Sequence, residues 1–328
     1  MRITVLGAGS WGTSLAILLA RNGHEVILFG RNECDLREMR DSRENAQYVP
    51  GIELPPNLRP EWDPTNLQES GMWIVAVPAV AVREVMALVQ GETPLLVVAA
   101  KGLEPESAKL LCQVCEEACP SANAGVLSGP NLALEIVRQI PTAAVAAFKD
   151  PEHAEAVRAT FMCRSFRVYL SDDVTGVELA GALKNVLAIA AGMSDALGYG
   201  DNTKGALLAR GLHQMTALGL AMGARVETFM GIAGVGDLFA TASSKLSRNY
   251  RVGLMIGQGI PLEEALQQIG QVAEGVYTST SALELGRRYG VDMPVFEFTE
   301  SVLHGRVDPR EAVGHLMARQ PKSEGFFS

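Results

Sequence analysis

One lysine stands out by its surroundings. Lys184 lies in the run Leu179–Ala191, which is apolar on nearly every helical face, and a helix that is apolar all round is buried. A buried ammonium without partners is costly, so Lys184 must snorkel or do chemistry. Desolvation and a neighbouring cation would lower its pKa toward the range useful for proton transfer. The plainer alternative is a lysine at a domain edge, paired with a carboxylate. Lys101 follows the strand-like run Leu95–Ala99, where ligands of open α/β sheets bind; it is either an anion contact or a solvated loop residue. Ser128-Gly129-Pro130-Asn131 also follows a strand-like run. It can offer backbone N–H groups to a ligand or be an ordinary turn with Asn131 as a helix cap. The glycine run Gly231–Asp237 has no strand before it, so it suits a tight backbone that fixes Asp237, with a loop following. That loop ends in Ser247-Arg248-Asn249, which reads as a phosphate clamp around the arginine fork or as a helix cap with exposed neighbours. Glu274 precedes another helix, as a ligand contact or a favourable first-turn charge.

A second chemistry is phosphate binding. Gly7-Ala8-Gly9-Ser10-Trp11-Gly12 follows a strand, opens a helix and precedes a second strand within ~30 residues, the context that makes G-x-G-x-x-G a dinucleotide motif. Gly7 allows the tight turn, Gly9 lets backbone approach a pyrophosphate, and Gly12 lets helix and strand pack closely. The second strand ends in Phe29-Gly30-Arg31-Asn32, without the acidic residue that reads a ribose 2′-hydroxyl. Arg31 can face the 2′-phosphate of NADP instead, or be a surface arginine.

These residues need elements to hold them. Strands are expected at Ile3–Leu6, Glu25–Phe29, Met72–Val77, Leu95–Ala99, Gly125–Leu127, Ala143–Phe148 and Arg167–Leu170, mostly without polar alternation, as in buried parallel sheets. Helices at Trp11–Arg21, Val80–Gln90, Glu106–Ala118 and Glu152–Met162 alternate with them, predicting an open doubly wound sheet. After about Asp172 the chain reads as helices alone: Val174–Leu197, Thr203–Met222, Arg251–Gln258, Leu262–Ile269, Val276–Tyr289, Val295–Leu303 and Pro309–Met317. The chain of 328 residues therefore divides into an α/β dinucleotide-binding domain, 1–172, and an all-α domain, 173–328. A tail from Gln320 has weak pattern.

Composition narrows the function classes. The net charge of −9 argues against nucleic-acid binding. No membrane or export segment is expected, because the apolar run around Lys184 is shorter than the ~20 residues of a bilayer helix. Five cysteines, an odd number, suit reduced thiols and a cytoplasmic location. Cys112, Cys115 and Cys119 share a helix face but lack a fourth ligand, so no metal site is expected. There is neither a P-loop nor a G-x-S-x-G elbow.

The ordered motifs resemble those of bacterial NAD(P)-dependent glycerol-3-phosphate dehydrogenases over roughly residues 2–318. They are Gly-Ala-Gly-Ser-Trp-Gly-Thr at 7–13, Ala-Lys-Gly-Leu-Glu at 100–104, Ser-Gly-Pro at 128–130 and Leu-Lys-Asn-Val at 183–186. Gly-Met-Ser-Asp at 192–195, Gly-Val-Gly-Asp-Leu at 234–238, Ser-Arg-Asn at 247–249 and Glu-Gly at 274–275 follow. The resemblance implies a Rossmann domain followed by a helical substrate domain. It implies Lys184 as the catalytic lysine, with Lys101 and Asp237 at the reacting centre. Substrate contacts would come from Gly129, Asn131, Ser247, Arg248 and Asn249. Cofactor contacts would come from Ser10, Trp11, Arg31, Lys101, Ala133, Arg248, Val272 and Glu274, beside Gly7, Gly9 and Gly12. Asn131 departs from the Thr or Ser often found there, and Ala273 from the usual valine. The implied reaction passes hydride between nicotinamide C4 and C2 of dihydroxyacetone phosphate or sn-glycerol 3-phosphate, using NADP or NAD, with Lys184 moving the proton. The implied setting is a homodimer that supplies glycerol 3-phosphate for phospholipid synthesis. An acidic chain with anionic ligands demands that Arg31, Lys101, Lys184 and Arg248 be gathered at a site between the domains.

Overall fold

The computed structural model describes residues 1–67, 70–89 and 95–319. The expected helix end at Gln90 and the tail from Gln320 lie outside them. The chain separates into two compact units. One comprises Met1–Ala100 and Leu111–Val174; the other comprises Lys101–Leu110 and Thr175–Ser328.

The first unit runs β1 (Arg2–Leu6), α1 (Ser10–Arg21), β2 (Glu25–Phe29), α2 (Glu33–Ser42), β3 (Leu58–Glu61), β4 (Met72–Val75), α3 (Val82–Val85), β5 (Leu95–Val98), α4 (Leu111–Ala118), β6 (Asn123–Ser128), α5 (Ala133–Val137), β7 (Thr142–Ala147), α6 (Pro151–Phe161) and β8 (Phe166–Ser171). Its strands form one sheet in the order β3-β2-β1-β4-β5-β6-β7-β8. All neighbours pair parallel except β6 and β7, an antiparallel step that the buried-run pattern had not announced. The order reverses between β1 and β4, so a ligand crevice opens beyond their carboxyl ends. Gly7 and Ala76 sit there.

Several expectations shift. Instead of one helix from Val80, α3 is flanked by 3₁₀ turns at Ala79–Ala81 and Met86–Leu88. The helix expected from Glu106 begins at Leu111. Glu106 and Ala108 have φ of 68° and 56°, left-handed values that an α-helix cannot contain. The segment Lys101–Leu110 instead packs with the helical unit, where Leu103, Ala108 and Leu110 are buried.

The helical unit holds α7 (Val174–Ala196), α8 (Asp201–Ala221), α9 (Val226–Met230), α10 (Asp237–Ser243), α11 (Arg248–Gly257), α12 (Leu262–Ile269), α13 (Glu274–Tyr289), α14 (Pro294–Leu303) and α15 (Pro309–Met317). Its axis is α7, which contributes Leu183 and Val186 to one core cluster and Ile189 and Met193 to another. Among the described residues α7 is long and apolar enough to cross a bilayer, but it is buried core. Buried on both sides, it needs no polar stripe.

Candidate active site

Lys184 projects from the middle of α7 and is 5% exposed. Its Nζ donates to Thr241 Oγ1 at 2.6 Å and lies 3.0 Å from Asp237 Oδ1. The other carboxylate oxygen, Oδ2, accepts from Lys101 Nζ at 2.8 Å. Thr241 donates in turn to Asp237 Oδ1 at 3.1 Å. One buried carboxylate thus bridges two ammonium groups, and a hydroxyl one helical turn along α10 completes the ring. Thr241 was not foreseen; its signal is the i, i+4 spacing from Asp237.

Burial lowers the Lys184 pKa to about 8. Asp237 pulls it back up, while Lys101 and Arg248 push it down. Burial drives the Asp237 carboxyl up, but the charges and hydrogen bonds of Lys101 and Lys184 outweigh it and hold the group below its ordinary value. The result is an ionised Asp237 beside a lysine poised to gain or lose a proton near neutrality.

The backbone explains this placement. Residues Ile232–Gly236 form a π-helical turn leading directly into α10, where a loop had been expected beyond Asp237. A Cβ on Gly234 would lie 2.1 Å from the Phe229 carbonyl oxygen, so the glycine is required by close approach and not by a left-handed φ. The turn delivers Asp237 to the buried first position of α10.

The Ser-Arg-Asn run caps α11. Ser247 Oγ accepts the Tyr250 N–H at 3.2 Å. Both ends of the Asn249 amide are engaged: Nδ2 donates to Asn185 Oδ1 and Oδ1 accepts the Gly275 N–H, each at 2.9 Å. Asn185 also donates to the Lys101 carbonyl at 3.2 Å, holding that segment to α7. Asn185 is a second participant that sequence reasoning quoted without assigning a role. Arg248 is the member of the run whose charge reaches Lys184. Lys101, Lys184 and Arg248 therefore gather inside the helical unit, which also carries Val272 and Glu274, the latter opening α13.

The remaining candidates belong to the sheet unit. Gly7 has φ +117°, and a Cβ there would meet the Ala76 carbonyl at 2.8 Å. A Cβ on Gly12 would lie 1.9 Å from Gly7 O. Around Gly9 the picture is opposite. A Cβ there would meet no protein atom within 4 Å, so its smallness serves something other than packing. Gly9 caps α1 without a side-chain bond, leaving the first-turn N–H groups of Ser10 and Trp11 available to an anion. These features fit a pyrophosphate. The Trp11 indole N–H donates to the Ala99 carbonyl at 2.8 Å, anchoring α1 to the chain just after β5. Arg31 follows β2, is exposed, and lies 3.4 Å from Glu84. Such surface pairs are weak, so a phosphate can displace the carboxylate. Ala133 begins α5. Gly129 has φ +145°, and Asn131 donates to the Ala143 carbonyl at 3.0 Å. Asn131 Oδ1 is buried without a hydrogen-bond partner, a vacancy that suits a ligand donor. Among the described residues no His, Cys, Asp and Glu group suits a metal.

Comparison with known proteins identifies the family and the fold. Residues 2–154 match the family described as NAD-dependent glycerol-3-phosphate dehydrogenase N-terminus, and residues 173–314 match its C-terminus. The chain is 47% identical over 327 residues to glycerol-3-phosphate dehydrogenase [NAD(P)+] of Desulfitobacterium hafniense, covering 98% of this chain and 93% of that protein. It is also 47% identical over 336 residues to the Geobacter sulfurreducens protein of the same name, covering 98% of each. The crystal structure of glycerol-3-phosphate dehydrogenase from Coxiella burnetii superposes with a TM-score of 0.93 at 36% identity, covering 97% of this chain and 99% of that one. A mostly parallel sheet with a glycine turn at its switch point, a helical unit built around a buried lysine, and full-length identity well above 30% place the chain in the family of NAD(P)-dependent glycerol-3-phosphate dehydrogenases.

Proposed function

We propose that the chain interconverts dihydroxyacetone phosphate and sn-glycerol 3-phosphate, with Lys184 as the proton carrier. The observation that carries this reading is the buried Lys184–Asp237–Lys101 bridge with Arg248 acting on it. A nicotinamide held there would supply or accept the hydride at C2. Everything else is work for the chain. In reduction the developing oxyanion at C2 takes a proton from the Lys184 ammonium; in oxidation the neutral amine takes the hydroxyl proton. Lys101 adds positive charge beside that oxygen, and Asp237 keeps both ammonium groups in place without leaving its site. Arg248 meets the substrate phosphate, which takes no part in the hydride step, and converts that binding into orientation. Within the sheet unit, Gly129 and Asn131 are the candidates for a ligand contact, the latter through its unpartnered oxygen.

On the cofactor side, Gly7, Gly9 and the α1 N-terminus cradle the pyrophosphate, and Arg31 reads a 2′-phosphate when one is present. Both NADP and NAD are accepted, because Arg31 is an exposed addition to a site complete without it. The reductive direction makes a phospholipid precursor. The test is direct: purified protein should oxidise NADPH, followed at 340 nm, only when dihydroxyacetone phosphate is added. Equal turnover with unphosphorylated dihydroxyacetone would overturn the reading, since Arg248 would then have no task. A 3-hydroxyacid dehydrogenase, the nearest rival with a helix-borne lysine, would show no dependence on a phosphorylated substrate.

A further inference from the structure

The residue after Arg248 and Asn249 leads away from Lys184 into a separate polar network. Tyr250 is buried on α11, and its hydroxyl donates to Asp195 Oδ2 at 2.6 Å. The same oxygen accepts from Lys204 Nζ at 2.6 Å, and that ammonium lies 5.3 Å from the centre of the Tyr250 ring. Three elements meet at one atom: the C-terminal end of α7, the first turn of α8 and the first turn of α11. The mechanism above uses none of these three side chains.

We propose that Tyr250, Asp195 and Lys204 form a lock that positions the first turn of α11, and with it Arg248, against Lys184. Tyr250 is a positioning residue, since it touches neither substrate nor reacting atoms. The need for a lock follows from how α7 and α11 cross. The contact is made through glycines. An added Cβ would lie 2.1 Å from Tyr250 O at Gly192, 2.0 Å from Ile189 O at Gly253, and 2.6 Å from the Ala196 Cβ at Gly257. Backbone against backbone maximises dispersion, but such contacts carry little directional preference. Directional contacts come from the first turn of α11, where Asn249 reaches Asn185 and Tyr250 reaches Asp195. These two neighbours hold the turn from which Arg248 projects. Lys204 pairs with the same carboxylate oxygen that takes the Tyr250 hydroxyl, so the Tyr250 bond runs to an ion-paired carboxylate and is charge-assisted, the stronger kind. The charged groups acting on Lys184 are Asp237 on α10, Lys101 in the segment after β5, and Arg248 on α11. Of these, the lock moves Arg248.

This inference rests on the reading of Arg248 as the phosphate contact, and the experiment separates the two. Tyr250→Phe keeps the ring and loses the bond. In the full-length protein its KM for dihydroxyacetone phosphate should rise about tenfold, the scale of a small misplacement of a binding group. Its KM for NADPH should rise less, because the glycine turn and the α1 N-terminus still hold the cofactor. The pH limb of glycerol 3-phosphate oxidation should also move to higher pH, because Arg248 no longer holds the Lys184 proton affinity down. Asp195→Asn keeps an acceptor for the hydroxyl and should lie closer to the parent than Asp195→Ala. If Tyr250→Phe fails to fold, Lys204→Met, which weakens the same bond, should give the same KM split. A melting point that falls while KM and the pH limb stay put means that Tyr250 only holds the fold, and the lock is wrong. Arg248→Leu provides the control. If it raises that KM while Tyr250→Phe does not, the lock alone fails. If Arg248→Leu leaves it unchanged, the phosphate reading fails and the lock with it.

Discussion

Lys184 sits between two opposed demands, since a proton donor must be charged and a proton acceptor must not. Burial and its cationic neighbours place its pKa at about 8, and the sign of the pH dependence follows. Oxidation of glycerol 3-phosphate needs the neutral amine, so its kcat/KM should climb as pH rises through about 8. Reduction needs the ammonium and should fall over the same interval. Substrate phosphate adds negative charge nearby, so the limb in kcat should lie above the limb in kcat/KM. Flat profiles from pH 7 to 9 in both directions would remove Lys184 from the proton path. Its replacement by alanine should cost about 10²–10⁴ in turnover while NADPH still binds, as fluorescence titration would read. Arg31 makes a milder claim at the same scale. It loses only a weak surface pair with Glu84 when a phosphate arrives. Arg31→Asp should lower the NADPH to NADH ratio of kcat/KM by about tenfold or more, through lost attraction and new repulsion. An unchanged ratio means another group reads the 2′-phosphate.

Glycines separate packing from ligand binding at the scale of the element. Gly12→Ala would drive a Cβ into the Gly7 carbonyl, so α1 must shift off β1 and the melting temperature should fall by several degrees, as about 1–3 kcal/mol of overpacking implies. Gly9→Ala meets no protein atom. It should melt near the parent temperature yet bind NADPH at least about tenfold more weakly, which isothermal titration would measure. Should Gly9→Ala bind NADPH normally, the pyrophosphate does not approach there. The same two glycines show what was legible in sequence, for a motif between a strand and a helix fixes its own geometry. Long apolar periods marked the central strands and α7 for the same reason. One edge was marked, β8 at Arg167–Leu170, and the other was not. Strand β3 carries Arg59, Pro60 and Glu61, tolerable because it lies at the sheet edge. Helix α2 buries only Leu36 and Met39, too thin a stripe to read. Thr241 and Asn185 were equally hidden, because their roles come from residues 57 and 64 positions away.

Across the whole molecule, three of the four expected cations, Lys101, Lys184 and Arg248, lie together in one unit and ease the conflict between a net charge of −9 and anionic ligands, while Arg31 is exposed on the sheet unit. One of those cations arrives from an unexpected part of the chain. A boundary near residue 172 assigns Lys101 to the sheet, whereas Lys101–Leu110 packs with the helices. The segment brings more than a charge: Leu103 and Leu110 are 1% and 3% exposed in the helical core. Burying a leucine is worth about 1.5–3 kcal/mol, so the pair contributes about 3–6 kcal/mol. A domain's whole stability is only about 5–15 kcal/mol. Its removal also strips Asp237 of one ammonium and leaves a buried carboxylate half-paired, a further cost. A fragment spanning residues 173–328 should therefore show helical far-ultraviolet dichroism but a broad, weak melting transition. A peptide of residues 101–110, added in excess, should sharpen and raise that transition by mass action. A fragment that melts as sharply and as high as the intact chain, indifferent to the peptide, would show that the helical core closes without the segment. Lys101 would then be a visitor to the site and no part of its foundation.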